Sequence, residues 1–255
     1  MQNQNEVLEE APLVSHLTEL RTRLIYSFIV FAFAVGGCFY CADTIFIFLL
    51  EPLKYALGND VKVTYWAPHE AFFTYMNLSV YAGIIIAAPF FLLQIWGFIA
   101  PGLYSHEKKS FLPFLLMTPI MFTLGIMMAF YIVMPTALQF FAGFQTLSDL
   151  GGPQVVQETR VSEYLYFAMS FILAFGLAFE LPVGLVLAGK AGLVTAQSLK
   201  NKRPYAVMII FILSAFFTPP DVVSMFSLAL PLYLMYELSI IIIKSFQKKS
   251  EDSNV

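Results

Sequence analysis

Three carboxylates stand where this chain could do chemistry, and Glu107 is the first. It lies in the stretch FIAPGLYSHEKK at 98–109, where a proline and a glycine end a long apolar run and two lysines follow. This pattern is typical of a chain that leaves a membrane and places a carboxylate at the surface. Glu107 then either solvates the end of a helix or receives a basic group, and its position alone leaves both open.

Glu19 lies in an amphipathic segment near the start of the chain. In APLVSHLTELRTRL, at 11–24, leucines recur at the i, i+4, i+7, i+11 spacing of one helix face. Glu19 and Arg23 form an i,i+4 pair on that helix. Taken alone, the segment favours a surface helix that leads into the first apolar run. The alternative is that Glu19 faces a site on the cytoplasmic side.

Glu180 is the third carboxylate, and it lies inside an apolar run, in FGLAFELPVG. It precedes Leu187 by seven residues, which places it about 10 Å inside the end of that run. A charge at the centre of a spanning helix costs at least roughly 2.5–3.5 kcal/mol. Intramembrane carboxylates are usually functional, so a functional role is favoured over a structural hydrogen bond.

The remaining reactive residue types indicate no catalytic or metal site. Asp221 follows a Thr-Pro-Pro turn and precedes the last apolar run, which predicts a helix N-cap. Cys38 and Cys41 have C-x-x-C spacing but lie within an apolar run, where cysteine is a small apolar filler. The three histidines are scattered, and no phosphate-binding or dinucleotide motif is present. We therefore expect no cofactor, no metal, no enzymatic activity and no nucleic-acid partner.

Composition identifies the class of protein that positions these residues. Hydrophobic residues make up 59% of the 255 and charged residues 12%, against roughly 25% charged in soluble domains. The chain is therefore predicted to be a polytopic membrane protein. Its N-terminus is acidic and polar and lacks the basic and short apolar regions of a cleaved signal peptide, so the first run is expected to be a retained span.

Six apolar runs are candidate transmembrane helices of one polytopic domain covering 1–255. A bilayer core needs about 20 helical residues, and the predicted spans are approximately 24–42, 71–100, 111–141, 164–187, 205–217 and 222–243. The fifth run has about 13 residues and reaches about 20 Å. It either extends through its flanking prolines or lies where the bilayer is thinner, and we favour the thinner bilayer.

The distribution of basic residues predicts the orientation of the helices. Of the 14 lysines and arginines, all but Lys54, Lys62 and Arg160 fall on one side of the predicted spans. By the positive-inside rule that side, called inner below, is cytoplasmic and holds both termini. On the opposite, outer side, the segment DTIFIFLLEPLKYAL is predicted to form short helices, interrupted by Pro52, that cap the bundle.

Seven short motifs in order resemble those of the TatC family, the polytopic core of the twin-arginine protein translocase. The match is colinear from about Leu13 to Lys244. Each motif alone is weak, but the ordered set is specific. The motifs are HLTELRTRL at 16–24, EPL at 51–53, FIAPGLYSHEKK at 98–109, FELPV at 179–183, KNKRPY at 200–205, TPPDV at 218–222 and LPLYLMYE at 230–237.

The resemblance implies an all-α protein of six transmembrane helices with a concave groove, in the bacterial cytoplasmic (inner) membrane. It implies a receptor and scaffold that binds the twin-arginine signal peptides of folded cargo proteins. Their export is driven by the proton-motive force. Small single-span partners of the TatA and TatB type and further copies of the chain are the implied protein partners.

The same resemblance assigns roles to individual residues. Glu19 and Glu107 match the carboxylates that form the cytoplasmic site for the arginine pair, and Glu180 matches an acid thought to face the groove where a TatA- or TatB-type partner docks. Four further positions match ones that the family treats as functionally sensitive: Arg21, Pro52, Phe98 and Asp221. Paired carboxylates suit arginine, whose planar guanidinium binds them bidentately as lysine does not.

Two other functions fit parts of the pattern. A secondary transporter of small solutes could use Glu180 for proton coupling, although such transporters usually show internal repeats and a polar midplane cavity, and the sequence shows no obvious repeat. A membrane assembly factor without transport activity would need no dedicated site.

Overall fold

The part of the chain that the structure describes is built from helices, with two strands of two residues each. The computed structural model describes residues 3–58, 62–103, 108–143, 159–218 and 221–252, with side chains described for 16–58, 62–98, 115–143, 159–218 and 221–247. Within these ranges the chain forms α1 Asn3–Tyr40, α2 Ala42–Leu49, α3 Glu51–Leu57, β1 Val63–Thr64, α4 Glu70–Leu103, α5 Lys108–Met128, α6 Met134–Ala142, β2 Thr159–Arg160, α7 Val161–Ala178, α8 Leu181–Lys190, α9 Ala196–Asn201, α10 Arg203–Phe217 and α11 Val222–Asp252.

Five helical segments of the described chain are long and apolar enough to cross a membrane. They are His16–Tyr40, Glu70–Phe98, Leu115–Ala142, Val161–Lys190 and Val222–Gln247. The all-α membrane architecture predicted from the sequence is confirmed. The predicted helix at 11–24 leads directly into the first span, because α1 runs without a break from Asn3 to Tyr40.

The fifth predicted span is short in the structure as well. Helix α10 has 15 residues, or about 22 Å, against roughly 30 Å for a hydrocarbon core. It begins at Arg203, with Pro204 in its first turn, and its C-cap Thr218 is extended. The helix extends through Pro204 at its start but ends before Thr218. It is still shorter than a hydrocarbon core, and a locally thinner bilayer remains our prediction.

Proline breaks two of the long helices, each for the same physical reason. Pro135 has no N–H to give to the carbonyl four residues earlier, and a π-helical turn at Ala129–Val133 precedes it and joins α5 to α6. Pro182 acts similarly between α7 and α8. There Glu180 N donates to Leu177 O at 3.1 Å in a tightened turn. The chain therefore bends at Glu180.

Helix α7 lies at the centre of the bundle, and glycines let its neighbours approach closely. A Cβ added at Gly125 of α5 would lie 2.5 Å from the carbonyl oxygen of Phe175 in α7. A similar close approach occurs between α8 and α11, where a Cβ added at Gly189 would lie 2.8 Å from Cγ1 of Ile243. Close packing at small residues is the usual way in which helices associate inside a bilayer.

Short elements cover the outer end of the bundle. Helices α2 and α3 meet at Leu50, and Pro52, which is buried, lies in the first turn of α3. The Tyr164 hydroxyl at the start of α7 donates to the Leu49 carbonyl at 2.5 Å. Strands β1 and β2 pair in parallel, with Val63 opposite Thr159. The predicted outer cap of short helices is therefore present.

A concave groove lies between the α7–α8 pair and the α10–α11 pair. It has a volume of about 380 Å³ and apolar walls, which include Ala178, Leu181, Ala206 and Leu232. Glu180 is not among the residues that line this groove.

Candidate functional site

Glu19 is held by a charged hydrogen-bond network between α1 and α4. Nε and Nη2 of Arg23 donate to Glu19 Oε1 at 2.9 and 2.7 Å. Nη1 of Arg23 reaches across to Gln94 Oε1 on α4 at 2.9 Å. Gly97 makes room for this contact, because a Cβ there would lie 2.7 Å from Arg23 Nη1. The network fixes the position of the Glu19 carboxylate relative to α4.

Phe98 is connected to the same carboxylate by His16, which stacks on Phe98 and contacts Glu19. The rings of His16 and Phe98 lie 4.1 Å apart with an interplanar angle of 13°. His16 Nδ1 is 3.9 Å from Glu19 Oε2. The side chains of Glu19 and His16 are 39% and 42% exposed. The structure thus brings two predicted site residues, Glu19 and Phe98, into one solvent-accessible cluster.

Two other predicted members of this site are placed differently. Arg21 is exposed and lies two residues from Glu19, which is about 200° around the helix, so it does not share the α4-facing side. Glu107 lies outside the described residues, in the interval between Leu103 and Lys108. The distance between Glu19 and Glu107 therefore remains a prediction.

Glu180 is buried at the bend between α7 and α8, with 6% of its surface exposed. Trp96 of α4 and Thr118 of α5 are the polar side chains that approach its carboxylate. Within the described residues neither carboxylate oxygen has a partner that meets hydrogen-bond geometry. Gly184 keeps Trp96 close, because a Cβ there would lie 3.3 Å from its ring. The carboxylate therefore faces α4 and α5.

Asp221 forms the helix N-cap that its position predicts. Its Oδ1 accepts from Ser224 N at 2.7 Å, and its carbonyl accepts from Met225 N at 3.2 Å. These bonds satisfy backbone donors at the start of α11. The observed role of Asp221 is thus to cap the start of α11.

The structure shows an outer charged cluster that sequence reasoning missed. Glu70 Oε1 accepts from Arg160 Nε at 2.7 Å and from Ser162 Oγ at 2.6 Å, and its Oε2 accepts from Trp66 N at 2.8 Å. The guanidinium of Arg160 also lies 5.2 Å from the Trp66 ring centroid. We call Glu70, Arg160, Ser162 and Trp66 the outer clasp. It ties the residues before α4 to the start of α7.

The Arg160 guanidinium of the outer clasp stays charged to high pH. The hydrogen bond from Arg160 to Glu70 raises the pKa of the guanidinium above its already high ordinary value. The sequence signal for the pair was weak. Arg160 is one of three outer cations and Glu70 heads a span, but 90 residues separate them, so nothing local indicated their contact.

An inner ion pair that the sequence analysis does not predict joins Arg203 to Glu237. Arg203 Nη2 donates to Glu237 Oε2 at 2.6 Å, and the Tyr233 hydroxyl donates to Glu237 Oε1 at 3.0 Å. The bond from Arg203 joins the first residue of α10 to α11, and the bond from Tyr233 lies within α11. Both cysteines are free thiols, and no group of three or more potential metal ligands occurs among the residues that the structure describes.

Comparison with known proteins agrees with this architecture. Residues 15–231 match the family described as TatC, Sec-independent protein translocase protein. A protein of that name from Magnetococcus marinus is 44% identical over 246 residues, covering 96% of this chain and 88% of the relative. The Rickettsia prowazekii protein of that name is 44% identical over 228 residues, covering 89% and 90%.

Two solved structures share the fold. A crystal structure of the twin-arginine translocase receptor TatC has a TM-score of 0.77 and 39% identity, covering 90% of this chain and 98% of the other. A second, of the same receptor in DDM, has a TM-score of 0.78 and 40% identity, covering 89% and 98%. The secondary-transporter alternative receives no support from any of these matches.

Family, fold and apolar spans lead to one conclusion. This chain belongs to the TatC family of Sec-independent protein translocase components and is a multi-pass protein of the bacterial inner membrane.

Proposed function

We propose that this chain is the receptor subunit that binds the twin-arginine signal peptides of folded proteins and supports their export driven by the proton-motive force. The observation that carries the proposal is the placement of Glu19. Its carboxylate is partly exposed, paired with Arg23 through Oε1 and flanked by the His16–Phe98 stack. An arginine side chain can pair with this carboxylate and lie against the adjacent rings.

Glu107 is the second proposed carboxylate of the site. The last described side chain of α4 is Phe98, and Glu107 follows it by nine residues on the same inner side of the predicted topology. Two carboxylates there would accept two guanidinium groups, with bidentate geometry that selects arginine over lysine. Arg21, exposed on the far side of α1, is proposed to contact another part of the signal peptide rather than its arginines.

The same proposal covers topology, partners and the absence of catalysis. The chain crosses the membrane six times, with α10 as the short crossing and both termini cytoplasmic. TatA- and TatB-type single-span subunits and further copies of the chain assemble with it, and Glu180 contributes to partner docking. Because Glu180 faces α4 and α5, we expect it to act through the packing of the α7–α8 pair against those helices. The subunit works without enzymatic activity or a cofactor.

Peptide capture by the full-length protein in mild detergent tests this function. A twin-arginine signal peptide is the bait, and the same peptide with a lysine pair is its matched control. We expect retention on the arginine bait, weak retention on the lysine bait, and loss of retention in the Glu19→Gln, Glu107→Gln double variant. Equal retention on both baits would show that no arginine-specific receptor site exists.

A further inference from the structure

The groove between α7–α8 and α10–α11 opens onto the surface of the bundle. Four of its lining residues are 40–52% exposed, namely Leu177, Ile209, Leu213 and Phe217. Its volume of about 380 Å³ lies in the range of roughly 300–1,000 Å³ that is usual for ligand pockets. The one lining hydroxyl, of Tyr236, is already bound to the Leu199 carbonyl at 2.7 Å. The groove therefore suits a hydrocarbon ligand that makes no hydrogen bonds.

A cationic group stands at the inner mouth of this groove. Arg203 lies one helical turn before the lining residue Ala206, on the same face of α10. Its side chain is 43% exposed and gives Nη2 to Glu237, and its Nε is buried without a hydrogen-bond partner within the described residues. A guanidinium has five N–H donors, so Glu237 leaves donors of Arg203 available. Lys200 and Lys202 add charge immediately before it in the sequence.

The length of the groove matches one acyl chain of a lipid. Ala206 and Phe217 line its two ends along α10, and the rise between them is about 16 Å. That is about half of the roughly 30 Å hydrocarbon core. A groove with a cationic mouth and an apolar length of one acyl chain has the shape and charge of a phospholipid site.

We propose that the groove binds one anionic phospholipid, with an acyl chain along α10 and its phosphate at Arg203. Lys200 and Lys202 contribute to the attraction, and Glu237 orients the guanidinium through Nη2 while leaving its other Nη donors for the phosphate. An apolar helix of a partner protein would also cover the walls of the groove, but it would have no need of the cations at the mouth. The site is independent of the Glu19 cluster on α1 and α4.

Photolabelling tests the proposal with the full-length protein in nanodiscs. Phosphatidylglycerol with a photoreactive group in its acyl chain is the probe, phosphatidylcholine with the same group is the matched zwitterionic lipid, and adducts are mapped by mass spectrometry. We expect phosphatidylglycerol adducts to concentrate on Leu181, Ile209 and Leu213, with weaker labelling by phosphatidylcholine. Adducts spread evenly over all lipid-exposed helices, or equal labelling by both lipids, would overturn the proposal.

Two charge variants separate lipid binding from a structural effect of the ion pair. Arg203→Gln should lower groove labelling roughly ten-fold, as expected for losing a charge-assisted hydrogen bond to phosphate. Glu237→Gln breaks the same pair but frees the guanidinium, so labelling should hold or rise. Equal losses in the two variants would mean that the pair only maintains the fold of α10, and the proposal would fail. Lys244→Gln, an exposed inner cation on α11, is the charge control.

A second pair of variants tests the acyl-chain part of the site. Ala206→Phe fills the groove and should abolish its adducts, whereas Val207→Phe places the same ring in the smaller cleft on the other side of α10 and should leave them. Unchanged groove labelling in Ala206→Phe would contradict the assignment. In a further experiment, a single-span apolar peptide is added as a competitor. If it displaces the lipid equally from wild type and from Arg203→Gln, the groove is a helix-docking surface instead.

Discussion

Arg23 donates two hydrogen bonds to a single oxygen of Glu19, from Nε at 2.9 Å and from Nη2 at 2.7 Å. The carboxylate proposed to receive an incoming arginine is therefore already paired with an arginine of its own helix. Its other oxygen, Oε2, has a contact of 3.9 Å with His16 and is the freer of the two. An incoming guanidinium must share the carboxylate with Arg23 or displace it.

Replacing Arg23 should therefore strengthen peptide binding. In Arg23→Gln the internal competitor for Glu19 is lost, and we expect affinity for a twin-arginine peptide to rise by a few-fold, since a partly exposed pair is worth roughly 0–1 kcal/mol. Isothermal titration with the purified protein measures the change. An affinity that falls as far as in Glu19→Gln would show that Arg23 holds the carboxylate in its binding position instead.

The His16–Phe98 stack should contribute to the same site. Phe98→Leu removes the aromatic face, and a stacked pair is worth about 0.5–1.5 kcal/mol, so peptide affinity should fall roughly 2–10-fold. Phe98→Tyr keeps the ring and should bind nearly as well. The control is Phe33→Leu, at a residue of α1 that is 80% exposed. If Phe98→Leu binds like wild type, the stack only packs α1 against α4.

The outer clasp should stabilise the outer cap rather than the receptor site. Glu70→Gln leaves Arg160 without its carboxylate and should cost about 1–3 kcal/mol in the free energy of unfolding, with faster amide exchange at Val63 and Thr64. The Glu70→Gln, Arg160→Gln double variant should lose less than the sum of the single variants, because contacting residues are coupled. Strict additivity would argue against a functional clasp.

Asp221 should stabilise the fold because its side-chain oxygen accepts a hydrogen bond, not because it is charged. Asp221→Ala removes the acceptor for Ser224 N and should cost about 1 kcal/mol, the usual value for an N-cap. Asp221→Asn keeps an acceptor in the same position and should be close to wild type. Thermal unfolding in detergent compares the variants. Asn and Ala variants that are equally destabilised would assign the effect to the charge.

Glu180 should affect stability and assembly in opposite directions. A buried carboxylate without a full hydrogen-bond partner is costly, so Glu180→Leu should raise thermal stability. The proposed docking role predicts that cross-linking to a TatA- or TatB-type subunit falls in the same variant. Higher stability with unchanged cross-linking would leave Glu180 with no role in docking.

Local signals allowed much of the fold to be predicted from the sequence. Run length and proline position placed the membrane helices, the short α10 and the short outer helices, and the Thr-Pro-Pro-Asp order identified the cap at Asp221. The Glu19–Arg23 pair followed from its i,i+4 spacing. Each of these features depends on residues that are close in the chain.

The missed features all depend on contacts between distant residues. Glu70 and Arg160 are joined across the outer end of the bundle, and Arg203 and Glu237 across α10 and α11, so no spacing rule applies to either pair. The direction in which Glu180 faces depends on the bend at Pro182 and on the close approach of Trp96 at Gly184. These arrangements are set by how helices pack, which a single sequence does not specify.

A double-mutant cycle between receptor and peptide tests the central claim most directly. Peptide affinity is measured for wild type and for the Glu19→Gln, Glu107→Gln variant, each with the arginine-pair peptide and its lysine-pair counterpart. If the carboxylates bind the arginines, the variant should weaken arginine-pair binding at least roughly ten-fold and erase the preference for arginine over lysine. If the preference for arginine is the same in wild type and variant, these carboxylates do not form the twin-arginine site.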